Sequence, residues 1–267
     1  MATIGLIAGG GRFPLLFAES ARRAGHRVVA AAHVNQTDPA LEKMVDACTW
    51  VKLGQFGKVL EAFQAGGCTE VVMLGSIAKA RFFRDAWLDG LGLQIVARVA
   101  VKSDDNVLRA IASAAEERGL PVTDPTRFLQ DRLAREGVLG KRQPTEEQWA
   151  DARYGLELAR AVGRLDLGQT VVVKDRTAVA VEVLEGTDAC IRRGGELARE
   201  GAVVVKALKP QQDRRFDLPA VGPDTIDSMK EAGCQVLAVE AGTTLMMDLD
   251  EMVRRADKAK IALIGIR

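Results

Sequence analysis

Over the first 75 residues, short runs of Val, Ile, Leu and Ala alternate with amphipathic stretches, and this rhythm limits the fold more than any other feature of the chain. "TIGLIA" is followed by a helical pattern through "LLFAESARRAG", then "HRVVAAAH", "PALEKMV", "CTWVKL", "FGKVLEAFQAGG" and "EVVMLG". The apolar runs are too short for buried helices and lack the alternation of strands that face water on one side. They fit strands covered on both faces. Strands alternating with helices resolve most simply into a parallel sheet between two helical layers, so a Rossmann-like α/β domain is expected. It continues through "RFFRDAWLDGLGLQIVARVAV", a helix from about Asn106 to Arg118, and "LPVTDPTRFLQ", and closes near residue 130.

A Gly, Lys, Arg and Pro patch then suggests a linker over 131–145, ending where Thr145, followed by Glu146 and Glu147, opens a capped helix. "TVVVKDRTAVAVEV" reads as two strands joined at Asp175 and Arg176. "AVVVKAL", "QVLAVEAG" and "IALIGIR" are three more strand candidates, separated by helices near 188–199, 224–233 and 249–259. A second α/β domain is therefore expected over 146–267, and 267 residues are enough for two cores.

Composition removes several functional classes. Lys and Arg total 37 against 36 Asp and Glu, so no global field draws the chain to nucleic acid. No apolar stretch approaches about 18 residues and no basic segment precedes the first apolar run, so a cytosolic chain without a membrane span is expected. Cys48, Cys68, Cys190 and Cys234 form no C-x-x-C pair and read as core thiols. With His26 and His33 the only histidines, base chemistry falls to carboxylates.

Several loops could carry chemistry. Gly9, Gly10 and Gly11 lie between the first strand and helix, where backbone amides can meet a phosphate; a turn needing only positive φ is the plainer alternative. The pattern is not G-x-G-x-x-G and the second strand has no acid at its tip, which weakens a nicotinamide reading. "GQFGK", with Gln55, Phe56 and Gly57, and "LGSIAK", with Ser76, end further strands at the same sheet edge, and one crevice serving all three loops suits a nucleotide. "GRLDLGQ" contains Asp166. "EGTDA" contains Thr187 and Asp188, which could bind ligand or only cap a helix. In "KPQQDRRFDLPAVGPDT", Pro210 and Pro219 bracket a charged segment that also holds Gln212. An extended backbone there would put Asp213, Arg215 and Asp217 on one side and Arg214 and Phe216 on the other. Carboxylates around an arginine suit hydrated magnesium and a phosphate, and a solvated loop of ion pairs is the plain alternative.

"LIAGGGRFP", "GQFGK", "GRLDLGQ", "EGTDA" and "Q-x-x-R-x-D-L-P-x-x-G-x-x-T" occur in the order seen in one bacterial family. The chain resembles the LpxI family of UDP-2,3-diacylglucosamine pyrophosphatases of lipid A biosynthesis over nearly its whole length. The resemblance implies magnesium-dependent hydrolysis to UMP and 2,3-diacylglucosamine 1-phosphate (lipid X) by a homodimer, with the nucleotide side on the N-terminal domain and lipid X on the C-terminal one. The family's catalytic aspartate falls on Asp217, which is also the expected metal ligand. Arg215 and Asp213 are further catalytic candidates. The substrate-binding candidates are Gly9, Gly10, Gly11, Gln55, Phe56, Gly57, Ser76, Thr187, Asp188 and Gln212. "RFFRDAWLDGLGL" could hold acyl chains, touch the inner-membrane surface transiently, form a dimer contact or simply pack in the core. A nucleotide-dependent oxidoreductase and a non-catalytic carrier are the competing classes.

Overall fold

The computed structural model describes residues 1–77, 87–98, 104–215 and 218–267, the side chains of 104–106 excepted. It divides into an N-terminal unit, Met1–Gln130 together with Asp213–Asp217, and a C-terminal unit, Asp131–Gln212 together with Leu218–Arg267.

The N-terminal unit carries β1 (Thr3–Ala8), α1 (Phe13–Arg23), β2 (Arg27–His33), β3 (Ala47–Val51), α2 (Phe56–Ala65), β4 (Glu70–Leu74), α3 (Gly90–Arg98) and α4 (Asp104–Glu116). The four strands form a parallel sheet in the order β3-β2-β1-β4, as the continuous apolar runs require. "PALEKM" is a 3₁₀ helix capped by Asp38, because Pro39 at its first position and the short run before β3 leave no room for a longer helix. One face of the sheet packs on Phe56, Phe63, Ile95 and Ile111 from α2, α3 and α4. Phe17 of α1 is fully buried and meets the edge of Phe128 at 5.4 Å between ring centroids. Gly5 leaves room for the Phe63 ring, whose atoms would lie 2.9 Å from an added Cβ.

In the C-terminal unit, a six-stranded mixed sheet has the order β5-β12-β10-β8-β6-β7. Its strands are β5 (Gly137–Val138), β6 (Thr170–Lys174), β7 (Thr177–Val181), β8 (Val203–Lys206), β10 (Val236–Glu240) and β12 (Ala262–Ile266). β9 (Ala220–Val221) and β11 (Leu245–Met246) make a separate parallel pair. The helices are α5 (Glu146–Arg164), α6 (Thr187–Ala198), α7 (Pro223–Glu231) and α8 (Leu249–Ala259). Ala152, Leu156 and Ala159 of α5 cover one face of the six-stranded sheet; Ile191 of α6, Ile226 of α7 and Met252 of α8 cover the other.

Two local expectations need correction. The stretch 131–145, read as a linker, is built into the C-terminal unit: Gly137 and Val138 pair with Gly265 and Ile264, and Leu133 bridges Leu245. A Gly/Lys/Arg/Pro composition marks irregular backbone but cannot reveal a two-residue edge strand. At the start of α5, Gln148 rather than a glutamate closes the capping box, its Oε1 accepting Thr145 N at 3.0 Å while Thr145 Oγ1 accepts Gln148 N at 3.3 Å. The β6–β7 hairpin turns at Asp175 and Arg176, as expected. Both have positive φ, 51° and 53°, as a two-residue type I′ turn requires. Both turn amides donate to the buried Asp151 carboxylate of α5, at 3.0 and 2.6 Å, which locks hairpin to helix. Charge-assisted bonds of this kind contribute about 1.5–3 kcal/mol each.

Candidate functional site

All strands of the first sheet are parallel, so the loops after β1, β3 and β4 emerge at one carboxyl edge, where open α/β sheets place their ligands. Gly9 and Gly10 do not hold their amides free there. Gly9 N donates to Leu74 O at 2.8 Å and Gly10 N to Ser76 O at 2.7 Å, and Ser76 N returns a bond to Gly10 O at 3.0 Å. A Cβ on Gly9 would lie 2.7 Å from Ser76 O, so this glycine serves the close approach of two loops. Gly11, with φ of 87°, faces open space. His33 is buried and its Nδ1 lies 2.9 Å from Ala8 O, a carbonyl that also accepts from Thr37 Oγ1 at 2.6 Å. The ring therefore donates from Nδ1 and burial lowers its pKa, so His33 is a neutral brace under the glycine loop.

At the α2 N-terminus the anion position is taken by the protein itself. Asp89 Oδ2 accepts from Gly57 N at 2.7 Å and Lys58 N at 3.3 Å, while its Oδ1 accepts from Gly92 N at 2.8 Å. One carboxylate thus caps α2 and α3 together. Gln55 folds back to accept Lys52 N at 2.9 Å, and Phe56 is buried in the core rather than presented to a ligand. Gln55, Gly57, Lys58, Asp89 and Arg118 line a groove of about 780 Å³. Trp87 is exposed, with Lys52 Nζ 3.8 Å above its ring; Phe82 and Phe83 lie outside the described residues.

The charged loop divides at Gln212. Up to that residue it belongs to the C-terminal unit, whereas Asp213–Asp217 group with the N-terminal unit. Residues 213–215 turn rather than run extended: Asp213 Oδ1 accepts the Arg215 amide at 3.1 Å, an Asx-type turn that aspartate forms readily. The same carboxylate grips the Arg215 guanidinium, at 2.9 Å from Nε to Oδ1 and 2.7 Å from Nη2 to Oδ2. Nη1 donates to Glu116 Oε1 of α4 at 2.7 Å. Hydrogen bonding to Arg215 holds the Asp213 carboxyl below the usual aspartate range. Arg214 lies 3.9 Å from Asp124. Phe216 and Asp217, the latter the first catalytic and metal candidate, lie outside the described residues.

In the C-terminal unit, Thr187 does not cap α6, whose N-cap is Gly186. Its hydroxyl donates to Glu182 Oε1 and accepts from Lys206 Nζ, both at 3.0 Å, forming a part-buried polar chain at the carboxyl end of β8. Asp188 is exposed in the first turn of α6. Gln212 is buried and ties its own loop, with Oε1 accepting Lys209 N at 3.2 Å. Sequence reading missed Asp89, Glu116, Glu182, Lys206 and Glu240. The last two could have been found, since each ends a buried apolar strand with a charge at the edge where sites form.

The expectation of four core thiols holds for Cys190 and Cys234, which are buried, and is corrected for Cys48 and Cys68, which are half-buried. Burial still pushes Cys48 and Cys68 up to about 11 and Cys190 to about 12, which keeps these thiols protonated at neutral pH.

A parallel α/β unit followed by a mixed α/β unit, with a charged arginine–carboxylate loop, defines a two-unit α/β protein. The chain belongs to the LpxI family: the LpxI N-terminal domain matches residues 3–132 and the LpxI C-terminal domain matches 135–264. A relative from Caulobacter vibrioides named UDP-2,3-diacylglucosamine pyrophosphatase LpxI is 34% identical, over 100% of this chain and 98% of its own. Among solved structures, phosphoribosylglycinamide synthetase from Anaerococcus prevotii (TM-score 0.29, 9% identity) is matched over 67% of this chain and 38% of that one. A biotin carboxylase complex from Campylobacter jejuni (TM-score 0.31, 10% identity) is matched over 74% and 42%. This chain spans about two fifths of those longer chains, and a likeness so weak carries no argument.

The depressed Asp213 pKa gives a test. A carboxyl whose folded pKa lies below its unfolded value of about 3.9 contributes stability that is present above that value and lost as pH falls through the folded one. Urea unfolding of wild type and Asp213→Asn should therefore show a difference favouring wild type that shrinks as pH falls below the unfolded value of about 3.9 and is level well above it. A difference independent of pH would contradict the pairing.

Proposed function

We propose that the protein hydrolyses the pyrophosphate bond of UDP-2,3-diacylglucosamine, releasing UMP and 2,3-diacylglucosamine 1-phosphate (lipid X). The observation that carries this reading is the full-length match to the Caulobacter relative of that name, together with both family domains. The Asp213–Arg215–Glu116 network supports it, because a guanidinium held on two sides by carboxylates is oriented before substrate arrives. Such preorganisation is what phosphoryl transfer asks of a protein.

In this proposal the N-terminal unit is a Rossmann-like domain on the nucleotide side, supported by its strand order β3-β2-β1-β4 and by the groove beside α2. The C-terminal unit holds lipid X, with Thr187 and Asp188 as further candidates for contact with its glucosamine phosphate. Asp217 orients the attacking water and Arg215 stabilises charge on the sugar-side phosphoryl group. Asp213, kept ionised by Arg215, holds that guanidinium and is a poor base for the same reason.

Magnesium belongs to the proposal through the resemblance. Among the described residues no group of three or more His, Cys, Asp or Glu could hold a metal, and both Asp213 oxygens are taken by Arg215. The described residues alone do not make a metal site. Magnesium carried on a pyrophosphate needs only one or two protein carboxylates, however, and would neutralise phosphate charge, so Asp217 alone would suffice.

No helix among the described residues is long and apolar enough to cross a membrane. We place the enzyme in the cytoplasm, in transient contact with the inner-membrane surface where its acylated substrate resides. A homodimer is proposed through the β7 edge. That strand pairs only with β6 among the described residues, and Leu184, three residues beyond its end, is exposed. Sedimentation velocity should give a wild-type dimer and a Leu184→Asp monomer, and a wild-type monomer would remove the proposal.

The functional test is UMP release from UDP-2,3-diacylglucosamine with magnesium or EDTA, for wild type and Asp217→Ala. Release should require the metal and fall at least about 100-fold in a folded variant that still binds lipid X. No release from folded wild type would favour a carrier.

A further inference from the structure

Glu240 ends the fully buried strand β10 and is itself only 9% exposed, an unfavourable place for a charge unless its oxygens are engaged. Oε2 accepts the Leu208 amide at 2.8 Å, and Oε1 accepts Arg160 Nε of α5 at 3.1 Å as well as Arg160 Nη2. Leu208 lies two residues beyond the end of β8, so Glu240 supplies a partner to its amide just past the strand.

The "GRLDLGQ" stretch, to which the reaction itself gives no role, holds the next residues. Lys209 Nζ donates to Asp166 Oδ1 at 2.9 Å and Gln211 Nε2 donates to Gly163 O at 2.6 Å. A Cβ on Gly163 would lie 3.1 Å from the Lys209 Cα, so the end of α5 and the loop backbone run side by side. Lys209 and Gln212 then close a small ring through Gln212 N to Lys209 O at 2.9 Å and Lys209 N to Gln212 Oε1 at 3.2 Å. Every residue from Leu208 to Gln212 except Pro210 is thus tied by a hydrogen bond, and Asp213 follows directly.

We propose that Glu240 and Asp166 are positioning residues: they fix the root of the charged loop, Leu208 to Gln212, from which the chain runs directly into Asp213. The inference rests on the reading that this loop carries the reaction. Neither residue needs to touch substrate. Each acts through the backbone or side chain it holds.

The test combines hydrogen exchange of the 207–219 peptide with steady-state UMP release from UDP-2,3-diacylglucosamine, in the full chain. Gln at position 240 can satisfy either Arg160 or the Leu208 amide but not both, so Glu240→Gln should exchange faster over 207–219 alone. Its kcat should fall about 10- to 100-fold, with KM within about twofold of wild type. Asp166 has φ of 56°, a conformation asparagine adopts readily, so Asp166→Asn removes the charge without straining the turn. It should lower kcat about three- to tenfold and add nothing in a Lys209→Gln background, as expected of a residue acting through that lysine. Reduced kcat with unchanged loop exchange, faster loop exchange with wild-type kcat, or additive losses in the double variant would each overturn the inference. If Glu240→Gln exchanges faster throughout the chain it has lost its fold, and the Asp166–Lys209 cycle decides. A wild type that releases no UMP would overturn the functional reading instead, while the exchange data would still decide whether these residues hold the loop.

Discussion

Arg215 is held between Asp213 and Glu116, and the turn at residues 213–215 depends on that arrangement. Four of the five residues between Gln212 and Leu218 are charged, and the described turn at Asp213–Arg215 is held by charged hydrogen bonds. The guanidinium suits this role because its fork meets a carboxylate along one edge and leaves Nη1 for a second acceptor. Asp213 contributes twice, through its bond to the backbone amide and its grip on the side chain of the same residue. Each pair alone, partly exposed, would contribute about 1 kcal/mol or less. Together they hold the turn at residues 213–215.

The second recurring theme is a helix N-terminus satisfied from within. Asp89 occupies the anion position of α2 while capping α3, and the glycine loop spends the Gly9 and Gly10 amides on the end of β4. What looks in sequence like a row of phosphate cradles is in part a set of close backbone approaches. Gly11 and the rim of the α2 groove remain as surfaces for a ligand.

Legibility of the sequence followed physical range. Buried parallel strands announce themselves because both faces are covered, so "TIGLIA", "EVVMLG" and "IALIGIR" could be placed without error of type. The Asp175–Arg176 turn and the Thr145 cap were equally local and equally readable. β5 was not, since two residues pairing with β12 leave no pattern of their own. The glycine motifs were found but their use was ambiguous: whether an amide is free depends on a partner some 65 residues away, such as Ser76 for Gly10. The spacing argument correctly associated Asp213 with Arg215, yet it assumed an extended backbone where aspartate forms a turn. Glu116 and Glu240 could not be linked to the loop from sequence, because those contacts exist only after the chain has folded back on itself.

If the oriented guanidinium of Arg215 is the element that acts on the pyrophosphate, the most direct measurement is UMP release by Arg215→Ala beside its unfolding midpoint. The account predicts a loss of turnover of at least about 100-fold, as for removal of a charge-stabilising donor, with the chain still folded. Turnover within a few fold of wild type would contradict it, leaving the loop as a set of structural ion pairs.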